Sequence, residues 1–405
     1  MKDATRSASD AGGVVGPDVV AACALSTVPG VGASALARVS SAFGSLRAAM
    51  EAGPKAIAAR EELKLKPEAR DYLGRDPDLE ELGAWAVAAA KAAGARIVLL
   101  GDGWYPSRLR EIPNPPALLY VRGHLAASAR RVAVVGSRDA DERGLEIARS
   151  LGDAFARAGV AVVSGGARGI DTAAHDGALW GSGPSVAVLG SGIDVVYPPE
   201  NAEIFERIAR GAGAVVSEFA PGTQPAQLNF PRRNRTIAGL ADAVVVVRAA
   251  LKSGALITAD HAAQQGRALF AIPGDVGQPL AAGPNELLRL NAAWPATSAV
   301  DVLEKMNWPV PEALLAPVQD DALRQIDPGF PASNVKEPDR DATDERVIDQ
   351  EGLRLWQLLD EKTPAHVDDL ALRAQIPAQQ ALRKLVELEL KGMCVQRPGK
   401  YFLRR

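Results

Sequence analysis

At 405 residues the chain is too long for one hydrophobic core, and two or three domains of ordinary size account for it. Apolar residues at 47% and charged ones at 23% exclude a disordered, collagen-like or coiled-coil protein. A formal charge of −3 argues against a protein that is basic all over, so a nucleic-acid site has to be a local patch.

The chain opens with a small, polar stretch, 1–17, that reads as a loose tail. A helical segment, 18–80, follows. Apolar residues recur at helical spacing on both sides of Val28-Pro29-Gly30-Val31-Gly32, a break short enough only for a tight turn, and this predicts a helical hairpin. From about Ala92 short β-branched runs alternate with amphipathic stretches. The runs 97–100, 132–135, 160–163, 185–189, 214–217, 243–247 and 268–271 are near-continuously apolar, as strands buried on both faces are. Helical segments at 140–158, 172–180, 201–210 and 258–265 separate them, the order a parallel sheet requires. The fold class expected for 81–305 is therefore α/β, a doubly wound, Rossmann-like parallel sheet. Next comes a linker, 306–344, since residues 311–351 hold eleven Asp or Glu against four Lys or Arg, with five prolines. The last segment, 345–405, shows three helical periods and two short strand-like runs around Pro398-Gly399, which suggests a winged helix.

Cys23 and Cys394 stand at opposite ends without partners at metal or disulfide spacing, so the expectation is a reducing cytosol rather than a secreted scaffold. The first twenty residues lack a signal-like apolar core and the apolar runs are strand-sized, which points to a cytoplasmic protein with no membrane segment.

Parallel α/β sheets bind ligands outside the carboxyl ends of their strands, and here five such loops are rich in Gly, Ser and Arg. They carry Gly136-Ser137-Arg138, then Ser164-Gly165-Gly166-Ala167-Arg168-Gly169-Ile170-Asp171, then Gly190-Ser191-Gly192-Ile193-Asp194. The fourth ends in Asn229-Phe230-Pro231-Arg232-Arg233-Asn234-Arg235 and the fifth is Lys252-Ser253-Gly254. Glycine lets backbone N–H groups approach an anion, and arginine adds bidentate forks. With Pro231 in a first helical turn, Arg232 and Arg235 share a face and can straddle adjacent phosphates while Arg233 points elsewhere. Phe230 is a candidate stacking surface for a base. The expected site is thus a cationic groove for an unpaired polynucleotide. Each piece also has a plainer reading: Gly-rich turns serve helix packing, Phe230 serves a core, Arg138 and Arg168 pair with Asp139 and Asp171, and Asp171 is structural.

Signatures of catalysis are mostly missing. There is no P-loop, no G-x-G-x-x-G turn and no G-x-S-x-G elbow, and His124, His175, His261 and His366 show no metal spacing. The expectation is no enzyme, no cofactor and no metal, with His175 as a structural partner.

The runs VAVVGSRDA, SGGARGIDTAAHDGAL, VAVLGSGIDVVYPPEN, SEFAPGTQP, NFPRRNRTIAGLADAVVVV and SGALITADHAAQQGRALFAIPG closely resemble the DNA-processing protein A (DprA/Smf) family over about residues 80–295. The resemblance implies an extended Rossmann fold flanked by a helix-hairpin-helix or SAM-like domain and a winged helix. It also implies a non-catalytic homodimer that binds incoming single-stranded DNA in natural transformation, helps to displace single-strand-binding protein and loads RecA recombinase. The binding positions it implies are Gly136, Ser137, Arg138, Ser164, Gly165, Arg168, Gly169, Phe230, Arg232, Asn234, Arg235, Ser253 and Gly254. Arg233 and Lys252 join them from their place in the same loops. The chain departs from the family pattern in three places: Gly166 stands where Leu is usual, Arg248 where Glu is usual, and PNELLRLNAA lacks the Gly before its last Ala. The first implies a more flexible anion loop; the second puts an acidic contact in doubt. A rival reading, a phosphoribohydrolase acting on a small nucleotide, needs a P-G-G-x-G-T-x-x-E run, and the chain offers only Pro221 to Pro225 with Glu218 upstream.

Overall fold

A run such as Val132-Ala133-Val134-Val135 is apolar at every position, and a strand of that kind needs cover on both faces. The computed structural model, which describes residues 16–126, 129–315, 350–360, 365–390, 393–397 and 401–404, provides it. Nine strands make one sheet: β1 Arg96–Leu99, β2 Leu118–Gly123, β3 Arg131–Val135, β4 Ala161–Ser164, β5 Ser185–Val188, β6 Ala214–Ser217, β7 Ala243–Val246, β8 Ala268–Ala271 and β9 Trp294–Pro295. Their order is β1-β2-β6-β5-β4-β3-β7-β8-β9, parallel from β6 to β9.

Alternation along each strand splits the core in two. Val132, Val134, Val162 and Val245 face one way, onto the Glu142–Arg157 and Ile170–Trp180 helices. Ala133, Val135, Val163, Val244 and Val246 face the other, onto the Asn229–Leu240 and Gly254–Gln264 helices. Asp141 starts the first of these helices by accepting from Gly144 N at 2.8 Å, and Ser253 starts the last by accepting from Ala255 N at 3.2 Å.

Two strands lie outside the expected set, and one of them breaks the parallel order. β2 was not anticipated, and it runs antiparallel between β1 and β6. Pro113, Pro115 and Pro116 punctuate its approach and hide the apolar run behind a turn-like sequence. β9 is two exposed residues, too short for any period to reveal.

The helical hairpin is present as Pro17–Thr27 and Ala33–Phe43. These helices belong to the same compact unit as the sheet, Met1–Pro317, and Ala22 and Cys23 share a buried cluster with Leu118, Tyr120 and Leu189.

The second unit, Val318–Arg405, holds helices Gln350–Leu358, Val367–Ala374 and Ala378–Leu390 and a three-stranded sheet. Its strands are β10 Ala365–His366, β11 Cys394–Arg397 and β12 Tyr401–Arg404, with β12 central, around a core of Leu355, Leu370, Leu385 and Phe402. That is a winged helix; β10 was not anticipated. Residues 1–15 of the expected tail, 1–17, residues 316–344 of the expected linker, 306–344, and the turn at Pro398-Gly399 lie outside the described residues; the described start of that linker packs Met306, Trp308, Val310 and Leu314 against the core. Among the described residues no helix is long and apolar enough to cross a membrane.

Candidate nucleic-acid interface

Between β3 and β7 the chain order of the parallel strands reverses, and the crevice outside their carboxyl ends is where such sheets take ligands. A cavity of about 680 Å³ lies there. Its wall includes Gly136, Ser137 and Arg138 after β3, Lys252, Ser253 and Gly254 after β7, and Phe230, Arg233 and Asn234 from the helix Asn229–Leu240. An adjoining recess adds Gly165 and Arg168 after β4 and Gly190 after β5. Ser164 and Gly169 sit behind this wall. Ser164 is buried and donates to Val134 O at 2.7 Å. Gly169 takes φ +75°, and a Cβ there would come within 2.6 Å of Arg138 O, so only glycine lets the two loops close on each other.

Phe230 occupies the middle of the site. The guanidinium carbon of Arg138 lies 4.9 Å from its ring centroid and that of Arg233 lies 5.9 Å away, and Tyr197 stands at 6.0 Å, tilted by 36°. Arg138 and Lys252 are exposed, and neither has an ion pair among the described residues. Arg168 is exposed too but pairs with Glu200 rather than with Asp171. An anion arriving at Arg168 has to compete with that carboxylate; at Arg138 it does not.

Arg233 has a different task. Its side chain is buried and donates to the carbonyls of Gly165 and Val188, the latter at 2.6 Å, and to Asn234 Oδ1 at 3.1 Å. Asn234 in turn donates to Gly254 O at 3.1 Å. One residue pair on this helix therefore ties together the loops after β4, β5 and β7. Asp171, also buried, accepts from Gly165 N at 3.2 Å and Ala167 N at 3.3 Å. Those two N–H groups, expected to face an anion, are taken by the chain's own carboxylate. Burial pushes the Arg233 guanidinium down to about 10 and raises the Asp171 carboxyl, the charge of each opposing the shift in the other.

The expectation for Arg232 and Arg235 holds in direction and fails in part. Both lie on the flank of the helix away from Phe230, where they line a second cavity of about 440 Å³. The Arg235 guanidinium is held by Asn114 O, by Pro113 O at 3.2 Å and by Glu218 at 3.2 Å, and so is not free to straddle phosphates. The buried Glu218 carboxylate needs that cation, since an unpaired charge there is costly. Of the two, only Arg232 is exposed, 5.0 Å from the Phe219 ring centroid.

Two departures from the family pattern have structural partners. Gly166 takes φ +63°, and a Cβ would meet a Phe205 ring carbon at 2.5 Å, so the small residue accommodates Phe205. Arg248 is buried against Asp141 at 3.5 Å, and its carbonyl accepts from Ser137 N at 2.6 Å, which joins the loops on either side of the switch point.

Tyr197 was missed by sequence reasoning; its signal was an aromatic residue beside Pro198-Pro199 in a chain with few aromatics. His175 proves structural. It is buried with Nδ1 at 2.8 Å from Ser185 Oγ, and burial, helped by the charge of Arg233, pushes it down from 6.5 to about 3. Unfolded, the ring takes a proton below about 6.5; folded, it does not until about pH 3, so stability falls as pH falls between those values. The expected loss is on the order of 1 kcal/mol per pH unit. Urea midpoints of the unsubstituted chain should therefore drop faster below pH 6.5 than those of His175→Gln; parallel profiles would mean that the ring is solvated.

Comparison with known proteins accords with this architecture. The profile of DNA recombination-mediator protein A matches residues 96–307, and that of the DprA winged helix domain matches residues 336–400. Protein Smf of Escherichia coli (strain K12) is 37% identical over 303 residues, 74% of this chain and 74% of that protein. DNA processing protein DprA of Streptococcus pneumoniae (strain ATCC BAA-255 / R6) is 40% identical over 208 residues, 51% of this chain and 73% of that protein. The X-ray structure of DNA processing protein A (DprA) from Streptococcus pneumoniae aligns with a TM-score of 0.58 at 31% identity, covering 72% of this chain and 98% of that one. The chain belongs to the DNA recombination-mediator protein A, or DprA/Smf, family.

Proposed function

We propose that the chain binds single-stranded DNA at the switch-point cavity, protects incoming strands, helps to displace single-strand-binding protein and loads RecA recombinase in natural transformation and homologous recombination. It acts in the cytoplasm as a homodimer, without catalysis of its own. Residues 81–305 are the strand-binding domain, with 18–80 and 345–405 as flanking modules. The observation that carries this reading is Phe230 with the Arg138 and Arg233 guanidinium carbons 4.9 and 5.9 Å from its ring centroid, beside exposed cations that have no acidic partner among the described residues. A π-face with cations around it suits a strand whose bases are unstacked, whereas a duplex keeps its base faces covered. Arg138 and Lys252 contact phosphates directly in this reading; Arg233, Asn234, Ser164 and Gly169 shape the wall.

Titration of oligothymidylate against matched duplex over a salt series tests it. Single strands should win, with a log–log salt slope of about −0.7 per phosphate contacted, and Arg138→Ala should weaken all sequences alike and flatten the slope by about 0.7. Equal affinity for duplex, or an unchanged slope in the Arg138→Ala, Lys252→Ala double variant, would overturn it. RecA loading is measured as filament formation on strands already coated with single-strand-binding protein. The phosphoribohydrolase reading would lean on Glu218, which is buried against Arg235 instead; release of free base from AMP would favour it.

A further inference from the structure

We propose that the cavity on the other flank of the Asn229–Leu240 helix is a second phosphate site, which takes the backbone of the same strand after it leaves the switch-point cavity. This rests on the proposed function above and extends it to the N-terminal helical segment. The wall of about 440 Å³ brings Arg38, Lys64 and Lys66 from that segment against Arg232 and Arg235, and no carboxylate side chain lines it.

The five cations are not equivalent. Arg38 donates to Leu63 O at 2.6 Å and Arg235 is held as described, so these two contribute field rather than free donors. Lys66 has Glu68 at 3.8 Å, an exposed pair of little strength. Lys64 and Arg232 are exposed and have no ion pair among the described residues. Arg232 reaches the hairpin turn itself: a Cβ on Gly32 would stand 2.9 Å from its Nη2. The helix Ala33–Phe43 begins at that glycine without a side-chain cap, so its first-turn N–H groups add to a field the cations already set.

The chemistry selects backbone over base. The wall is small residues, cations and amides with one imidazole, His261, and no Phe, Tyr or Trp, whereas the switch-point cavity holds Phe230. One strand reaches both by crossing the start of the shared helix, where Leu228, Pro231 and Arg232 are exposed.

The test uses the full chain with oligothymidylates of about 4 and about 16 nucleotides, the span of single-fold sites. The double variant Lys64→Gln, Arg232→Gln changes two exposed side chains, and its urea midpoint should match the unsubstituted chain. Its affinity for the short oligomer should be unchanged, while the long oligomer weakens and loses about 1.4 from its salt slope, about 0.7 for each lost contact. An unchanged slope for the long oligomer overturns the proposal, as does equal weakening at both lengths, which would place Arg232 in the first cavity. Calorimetry with inorganic phosphate separates sources: a variant that loses phosphate binding but keeps the long-oligomer slope marks a free-anion site and overturns the strand assignment. Arg138→Ala reads the underlying proposal independently, because it should weaken both lengths. If Arg138→Ala has no effect while the double variant flattens the slope, the switch-point reading fails and the second site stands.

Discussion

Replacing Phe230 with alanine should weaken oligothymidylate binding about 5- to 160-fold, the equivalent of about 1–3 kcal/mol for one lost base stack, and leave the salt slope unchanged. The ring is held in place by its neighbours. Its edge packs on Gly190, where an added Cβ would come within 2.9 Å of Cδ1, and two guanidinium groups and Tyr197 surround it. In the proposed reading Arg138 and Lys252 bring phosphates to the site, which would put a base of the bound strand within reach of the ring. Because stacking and phosphate contact respond differently to salt, affinity and slope are separate readouts. Phe230→Trp should preserve binding and Phe230→Leu should lose most of it, since leucine keeps apolar bulk but offers no π-face. Equal affinities for the Leu and Trp variants would mean that Phe230 is wall rather than stacking platform.

Most of the sheet was legible because a buried parallel strand has one compositional form, and β3 to β8 fall within a residue or two of their apolar runs. β2 was not, because its neighbours on both sides are antiparallel and its entry is proline-rich. The convergence of loops followed from topology alone: parallel strands share one carboxyl edge, so Arg138, Phe230 and Lys252 had to meet near it once the strands were placed. What each arginine does could not be read the same way. Arg168, Arg233 and Arg235 look alike in sequence, yet Glu200 pairs the first, two carbonyls bury the second, and Glu218 with two carbonyls fixes the third. Those partners lie 17 to 122 residues away, so local spacing carries no trace of them. The second cavity was hidden for the same reason, as Lys64 and Arg232 come together only when the helical segment packs on the sheet.

The largest effect on stability should come from Arg233→Met. The substitution removes the donors that Gly165 O and Val188 O accept from, and it leaves Asp171 a buried carboxylate without its opposing cation. Breaking a buried charge arrangement from one side typically costs about 3–5 kcal/mol, read here as a fall in the urea midpoint. Asp171→Asn should restore part of it, because an amide oxygen still accepts from Gly165 N and Ala167 N while the stranded charge is gone. The two substitutions should therefore couple by about 0.5–3 kcal/mol rather than add; strictly additive losses would show that the two groups do not sense each other. Binding supplies a second check. If Arg233 shapes the wall and touches no phosphate, the folded Arg233→Met variant loses affinity for single strands while its salt slope stays that of the unsubstituted chain, in contrast to Arg138→Ala, whose slope must flatten. A flattened slope in Arg233→Met would move that guanidinium from the frame of the cavity onto the strand.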